Sequence, residues 1–205
     1  MNILAIGSHP DDIEFGCGGT LIKYAKAKNK VYLFVLTDGS FGGDPGLRRA
    51  EQARAARFIG AKDLFWGHIK DTEVVNNREL ILKMEEIIRK VRPDTVFMNY
   101  YKDVHQDHRA ASLAGISATR YIKEVLFYEV PTTHGFNPDI FVDIQDVLKK
   151  KTQLLEIHAS QVGRTRVKNL TIIESSRSCA NFRGFQGRVK YAEGFKALRL
   201  LREIR

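Results

Sequence analysis

The chain has 205 residues, with 33 Lys and Arg against 24 Asp and Glu, which gives a formal net charge of +9. Its composition, 43% hydrophobic and 28% charged, is typical of a globular protein and excludes a disordered chain, a collagen-like repeat and a coiled coil. The length predicts one domain over residues 1–205 with a sizeable core. No apolar run approaches the ~20 residues of a membrane helix. Two cysteines, Cys17 and Cys179, are too few for a disulfide framework, so we expect a cytoplasmic protein.

Short apolar segments alternate with amphipathic ones along the chain. Strands are predicted in order at 2–7, 31–36, 63–66, 94–98, 125–129 and 139–143. Helices are predicted over 13–29, through Ile59 to a stop at Gly60, over 78–91, from about Arg109 to Arg120, near 145–157 and, in the tail, from about 189 to 203. We interpret 2–7 as a first strand rather than a signal peptide because it lacks a basic leading segment.

This alternation predicts an α/β fold, a single-domain Rossmann-like three-layer sandwich with a mostly parallel sheet. In such folds, functional sites form at the carboxyl ends of the strands. The basic residues are scattered at helical spacing, as on solvated helix faces. We therefore expect no nucleic-acid and no membrane partner, and a basic nucleic-acid-binding module is the least favoured function.

Two loops at predicted strand ends concentrate histidines and carboxylates. Ser8-His9-Pro10-Asp11-Asp12 follows the first strand, and Asp103-Val104-His105-Gln106-Asp107-His108 follows the 94–98 strand. A catalytic zinc site uses three imidazole or carboxylate ligands and leaves one position for water. His9 and Asp12 are predicted to share one ion, with either His105 or His108 as the third ligand.

Each loop also has an explanation without a metal. Asp11 and Asp12 precede a helix and would serve as its cap and first-turn acids. The histidines of the second loop would be solvated, with Asp107 capping the helix at 109. Both explanations would have to hold at two strand ends expected on one edge of the sheet, so a metal site is favoured.

The first loop, followed by Glu14 and Gly16-Cys17-Gly18-Gly19-Thr20, closely resembles the opening motif of the LmbE-like (PIG-L) metal-dependent N-deacetylase family. The second loop resembles that family's second motif through His105-Gln106-Asp107-His108-Arg109. Further similarities follow in order along the chain: Arg48 with Glu51, Asn137-Pro138, Phe141-Val142-Asp143-Ile144, His158-Ala159-Ser160-Gln161 and Tyr191-Ala192-Glu193-Gly194-Phe195. The last two are most similar to bacillithiol-type deacetylases, which act on an N-acetylglucosaminyl-malate.

The resemblance implies a zinc-dependent hydrolase that removes the acetyl group from an N-acetylglucosamine-type sugar conjugate. His9, Asp12 and His108 would bind Zn²⁺, with Fe²⁺ as the alternative, and Asp11 would be the general base. His105 is placed to act as an imidazolium that protonates the leaving amine and supports the oxyanion, with Asp107 orienting it.

Substrate contacts are predicted for Arg48, at the family's arginine position, and for Asp71, in a loop where relatives place a substrate-contacting acid. Family members are commonly homo-oligomers, so we expect one here. A metal-dependent phosphoesterase, often with two bridged metals, is the main alternative function. Gly16, Gly18 and Gly19 lack the spacing of a dinucleotide fingerprint and indicate close packing of a helix start. His158 either borders the active site or is buried.

Overall fold

The structure is a computed structural model that describes residues 1–201. Its strands are β1 Asn2–Gly7, β2 Lys30–Thr37, β3 Asp63–Ile69, β4 Thr95–Asn99, β5 Glu124–Tyr128, β6 Ile140–Asp143 and β7 Ala192–Arg199. Its α-helices are α1 Asp12–Lys26, α2 Pro45–Ile59, α3 Arg78–Val91, α4 Gln106–Ala118, α5 Leu148–Glu156 and α6 Ile172–Gln186, and a short 3₁₀ helix spans Ser40–Gly42. None of the helices in residues 1–201 combines the length and apolar character needed to cross a bilayer.

The strands form one mostly parallel sheet in the order β3-β2-β1-β4-β5-β7-β6. The first five strands of this order are parallel, whereas β7 runs antiparallel between β5 and β6. The chain winds outward from β1 through β2 to β3 and then returns to place β4 on the other side of β1. The crevice between β1 and β4 is therefore the topological switch point, where ligands bind in open α/β sheets.

Helices cover both faces of the sheet, which confirms the predicted three-layer α/β sandwich. Along β1, Ile3 and Ala5 point into a core shared with α1, α2, α5 and α6. Leu4 and Ile6 point into the opposite core, shared with α3 and α4. A central strand that is buried on both faces has a nearly continuous apolar sequence, and residues 2–7 show this pattern.

Several element ends follow local sequence signals. Asp44 caps α2 by accepting a hydrogen bond from the Leu47 backbone N–H, Pro45 occupies the first turn, and Gly60 ends the helix with φ 85°. The bounds of α3 are those predicted, 78–91. Helix α4 begins at Gln106 rather than near Arg109, because His105 rather than Asp107 caps it.

The carboxyl-terminal prediction is wrong over its described part. The segment predicted as a helix from 189 to 203 contains β7, and residues 202–203 lie outside the described range. Ala, Glu, Lys, Leu and Arg favour a helix, but the ladders offered by β5 and β6 on both sides outweigh that preference. Helix α6 was not predicted, although Thr171 and Glu174 form a capping box at its start.

The glycines of α1 allow close packing, as predicted. A Cβ atom at Gly16 would lie 2.0 Å from the Tyr128 ring. Only a glycine lets the first turns of α1 sit this close to β5. This contact fixes where α1 begins relative to the carboxyl edge of the sheet.

Candidate active site

The first half of the site is the turn between β1 and α1. Here the Oδ2 atom of Asp12 accepts hydrogen bonds from the backbone N–H groups of Ser8 (3.1 Å) and His9 (2.9 Å). Asp11 has a left-handed backbone conformation with φ 98°, which is strained for a residue other than glycine. Strained backbone of this kind concentrates at functional sites.

The second half is the loop between β4 and α4. The Nδ1 atom of His105 accepts a hydrogen bond from the Asp107 backbone N–H (3.2 Å), which fixes the first turn of α4. His108 lies in that turn and is buried. Because β1 and β4 are paired neighbours, His108 reaches His9 although 99 positions separate them.

Three donor atoms from the two loops converge. The Nδ1 atom of His9 lies 3.2 Å from Nε2 of His108 and 3.5 Å from Oδ2 of Asp12, and the latter two atoms are 3.3 Å apart. A tetrahedral zinc ion with ligands at about 2.0–2.1 Å spaces neighbouring donors roughly 3.3 Å apart. This donor triangle therefore has the size and the chemistry that such an ion requires.

The other nitrogens of the two histidines face carboxylates. The Nε2 atom of His9 lies 3.1 Å from Oδ1 of Asp71 and 3.1 Å from Oδ2 of Asp107. The Nδ1 atom of His108 lies 3.1 Å from Oδ2 of Asp103. Carboxylates in this position hold the proton on the far nitrogen and leave the near nitrogen free to bind a metal.

The charges of the cluster shift its pKa values. Burial alone would lower the pKa of His108, but Asp12 and Asp103 outweigh it and raise that pKa to about 9. The pKa of His9 is also raised against burial, chiefly by Asp107, Asp12 and Asp71. Burial would raise the pKa of Asp12, but His108 and His9 hold it well below its usual range. The carboxylates around the two histidines therefore favour positive charge at this point, which is the charge that a bound cation would supply.

Asp11 lies beside the donor triangle in a different environment. Its side chain is 26% exposed, and its Oδ2 atom lies 3.5 Å from Nη2 of Arg48. Burial raises the pKa of the Asp11 carboxyl to about 6, although the Arg48 guanidinium opposes this. A carboxylate with this pKa can accept a proton near neutral pH.

His105 and Asp107 differ from the predicted arrangement. The Asp107 carboxylate contacts His9 and accepts a hydrogen bond from the Thr72 backbone N–H (2.8 Å), so it supports His9 rather than His105. Burial and the charges of His9 and His108 lower the pKa of His105. The hydrogen bond that Nδ1 of His105 accepts fits a neutral ring with its proton on Nε2, whereas the predicted imidazolium would need Nδ1 to donate. Its ring centroid lies 4.6 Å from that of His9.

Arg48 and Asp71, the predicted substrate contacts, are both buried against protein groups. The Arg48 guanidinium donates to the backbone carbonyls of Gly39 (2.6 Å) and Pro10 (2.7 Å). Asp71 accepts a hydrogen bond from the Phe41 backbone N–H (2.8 Å) in addition to its contact with His9. The structure thus brings both residues to the site, where they brace its loops.

Two features of the site were not predicted. Asp103 is buried behind His108 and also accepts from the His105 backbone N–H (2.8 Å); its position in the same loop was the available signal. Gln52 accepts from the Asp11 backbone N–H (3.3 Å) and donates to Glu14 (2.6 Å). No sequence pattern pointed to Gln52. His158 is buried beneath this pair, 3.6 Å from Glu14.

The fold and the site define an α/β protein with a candidate metal-binding cluster at the switch point of a mostly parallel sheet. The chain belongs to the PIG-L family, described as GlcNAc-PI de-N-acetylase, whose pattern matches residues 4–119. It is therefore an N-deacetylase, a hydrolase of amide bonds, and the predicted family is confirmed.

Relatives of known name support this membership. "Uncharacterized deacetylase YaiS" of Escherichia coli (strain K12) is 36% identical over 152 residues, covering 70% of this chain and 82% of that protein. Diacetylchitobiose deacetylase of Thermococcus kodakarensis is 34% identical over 190 residues, covering 78% of this chain and 69% of that protein. A probable N-acetyl-alpha-D-glucosaminyl L-malate deacetylase 2 of Bacillus anthracis is 27% identical over 193 residues, covering 82% and 84%.

Solved structures share the whole fold. The conserved protein TT1542 from Thermus thermophilus superposes with a TM-score of 0.89 at 26% identity, covering 100% of this chain and 97% of that one. The N,N'-diacetylchitobiose deacetylase from Pyrococcus horikoshii, complexed with its inhibitor MPG, superposes with a TM-score of 0.85 at 28% identity, covering 96% and 83%.

Proposed function

We propose that this chain hydrolyses the N-acetyl group of an N-acetylglucosamine-type sugar conjugate with the help of a divalent ion. One observation carries the proposal: the donor triangle of His9, Asp12 and His108 has the spacing of a tetrahedral zinc site and adjoins Asp11. The relatives named for N-acetylated sugars support the substrate class. Zn²⁺ is the proposed ion and Fe²⁺ the alternative, because both accept imidazole and carboxylate ligands.

His9, Asp12 and His108 would hold the ion, which when bound lowers the pKa of water and polarises an acetamide carbonyl. Asp11 is the proposed general base, since its carboxylate is partly exposed, whereas that of Asp12 is turned inward by two backbone N–H groups. Asp11 takes one proton from the attacking water. It returns that proton to the amine nitrogen as the C–N bond breaks, so the immediate products are acetic acid and the free amine, which leave as acetate and ammonium once the acid's proton passes to the amine.

His105 is the proposed donor to the carbonyl oxygen. In a neutral ring whose Nδ1 accepts, the Nε2–H is the proton available for a hydrogen bond as negative charge develops on that oxygen. Hydrogen bonding to the oxyanion does not require an imidazolium, so the proposal keeps the predicted residue and changes its protonation state. Proton delivery to the amine then falls to Asp11.

Three further residues are proposed to position this machinery. Arg48 holds Asp11 through its contacts with the Asp11 carboxylate and the Pro10 carbonyl. Asp71 and Asp107 hold His9 from the side facing away from the donor triangle. Direct contacts of Arg48 and Asp71 with substrate, a homo-oligomeric state and a cytoplasmic location stay predictions.

The test is an acetate-release assay on a panel of N-acetylglucosaminides, using metal-free protein and protein restored with Zn²⁺ or Fe²⁺. We expect release only after restoration, with one ion bound per chain. Two bound ions together with phosphate release from a phosphoester panel would instead support the phosphoesterase alternative. A metal-free protein with full acetate release would contradict the proposal.

A further inference from the structure

The loop between β2 and α2 lies directly beside the donor triangle. Thr37, at the end of β2, donates from its backbone N–H (2.9 Å) and its hydroxyl (3.0 Å) to the backbone carbonyl of Ser8. Ser8 immediately precedes His9. The residues that follow Thr37 therefore border the mouth of the site.

Side chains from two separate segments, helix α2 and the stretch 161–164, brace this loop. Arg48 donates to the Gly39 carbonyl (2.6 Å), and Gln161 and Arg164 donate to the Gly42 carbonyl (3.3 and 2.6 Å). Gly39 has φ 67°, and a Cβ atom there would lie 1.9 Å from the Arg48 guanidinium. The close approach of Arg48 therefore requires a glycine.

The braced loop presents one large side chain, and that side chain is exposed. Phe41 is 70% exposed and does not contribute to either hydrophobic core. Its backbone N–H is held by Oδ2 of Asp71, while Oδ1 of the same carboxylate lies 3.1 Å from His9. A single carboxylate thus ties the position of Phe41 to that of the donor triangle.

An exposed phenylalanine contributes little to folding, because burial of its ring is the source of its stabilising effect. Single exposed apolar residues are common on surfaces and need no explanation by themselves. The bracing is what distinguishes Phe41, since four side chains hold the backbone that carries an unburied ring. Rigid aromatic side chains bind ligands well because little conformational entropy is lost.

We infer that Phe41 is a specificity-determining residue whose ring stacks on the C–H face of the substrate's sugar ring. The inference rests on the proposed function, since it assumes a sugar whose acetamide lies at the donor triangle. The face of an aromatic ring is electron-rich, so it attracts the weakly positive C–H hydrogens of a pyranose. The contact would select cyclic over acyclic N-acetylated amines.

The test compares Phe41→Ala and Phe41→Trp with the wild type on an N-acetylglucosaminide and on N-acetylethanolamine, which lacks a ring. For Phe41→Ala we expect a KM about five- to tenfold higher on the sugar. We expect kcat on the sugar and kcat/KM on the acyclic amide to be unchanged. Phe41→Trp retains the low KM. Phe185→Ala is the matched control, because Phe185 is 72% exposed on α6.

Equal losses on both substrates would mean that the substitution disturbs the loop, and they would overturn the inference, as would an unchanged KM on the sugar. A nuclear magnetic resonance titration that measures binding of N-acetylglucosamine distinguishes failure of the Phe41 inference from failure of the proposed function. Phe41-dependent binding without acetate release by any loaded protein contradicts only the proposed function. Acetate release with binding that does not depend on Phe41 contradicts only the role of Phe41.

Discussion

Helix α1 contacts two buried charged clusters that differ in how well their groups are satisfied. At its middle, the Lys151 ammonium bonds the Phe15 carbonyl (2.6 Å) and Glu193 (2.5 Å). The Glu193 carboxylate also accepts from the backbone N–H groups of Gly19 (2.8 Å) and Thr20 (2.7 Å). Each charge here meets an opposite charge and hydrogen bonds, as a structural ion pair requires.

The cluster at the start of α1 is satisfied only in part. The Nδ1 atom of His9 and the Nε2 atom of His108 lie 3.2 Å apart, and among the described residues the Oδ1 atom of Asp107 is buried without a partner. The adjoining Asp11 has a strained backbone. Partly satisfied buried networks are costly in free energy. We therefore interpret the cluster at the start of α1 as a binding site, and the Lys151 cluster as a structural ion pair. Substitutions should therefore separate the two clusters by their effects.

The largest expected effect is the loss of the metal. His108→Ala removes one corner of the donor triangle, so we expect the purified variant to contain no stoichiometric Zn²⁺ and to release no detectable acetate. Metal content by mass spectrometry and the acetate assay provide the measurement. His134→Ala, which replaces a histidine outside the site, is the matched control. Full metal occupancy in His108→Ala would remove this residue from the ligand set.

The next effect concerns proton transfer. Asp11→Asn keeps the size of the side chain but cannot accept a proton, so we expect kcat to fall by about 10²–10⁴-fold. Metal content should stay at the wild-type level, because Asp11 lies outside the donor triangle. Asp63→Asn, at the exposed start of β3, provides the control. Wild-type turnover in Asp11→Asn would assign the base to another residue.

A substitution in the Lys151 cluster should change the stability of the fold and leave metal binding unaffected. Lys151→Met leaves Glu193 buried without its counter-charge, which we expect to lower the free energy of unfolding by about 3–5 kcal/mol. Denaturant titration measures this loss, and Lys150→Met, at an exposed neighbour, should be nearly silent. Metal stoichiometry in the folded variant should be unchanged. A variant of normal stability that had lost its metal would contradict the division between the clusters.

The smallest expected effect is a loss of metal affinity when Asp103, the carboxylate that faces His108, is changed. Asp103→Asn weakens the acceptor for His108 Nδ1, so we expect metal affinity to fall by about 10–100-fold. Competition with a chelator measures the affinity, and activity should recover at saturating metal. Asp146→Asn, an exposed carboxylate paired with Lys23, is the control. Unchanged affinity would mean that Asp103 only shapes the loop.

The sequence predicted best those elements whose signals are local. Helix α3 has capping, amphipathic spacing and a following Pro93, and its bounds are as expected. The β7 segment has helix-favouring residues and becomes a strand only because β5 and β6 flank it. Pairing between segments about 50 to 70 positions apart does not appear in local composition, so periodicity alone could not indicate it.

The same limit applies to the site. The residue types in the two loops, together with the resemblance, were sufficient to place the candidate ligands and base on one edge of the sheet. The partner of Asp107 was not predictable, because it depends on distances between His9, Thr72 and the first turn of α4. The part played by Gln52 likewise depends on how α2 packs against the strained turn at Asp11.

The adjacency of β1 and β4 has a consequence for folding. An ion held by His9, Asp12 and His108 would link positions that are 99 residues apart in the sequence. In an unfolded chain, bringing such distant groups together costs loop-closure entropy, so they are rarely close. Binding would therefore favour the folded chain by roughly 4 kcal/mol at a thousandfold excess over the dissociation constant. The melting temperature should accordingly rise with ion concentration, so thermal stability would report the fraction of the protein that has the ion bound.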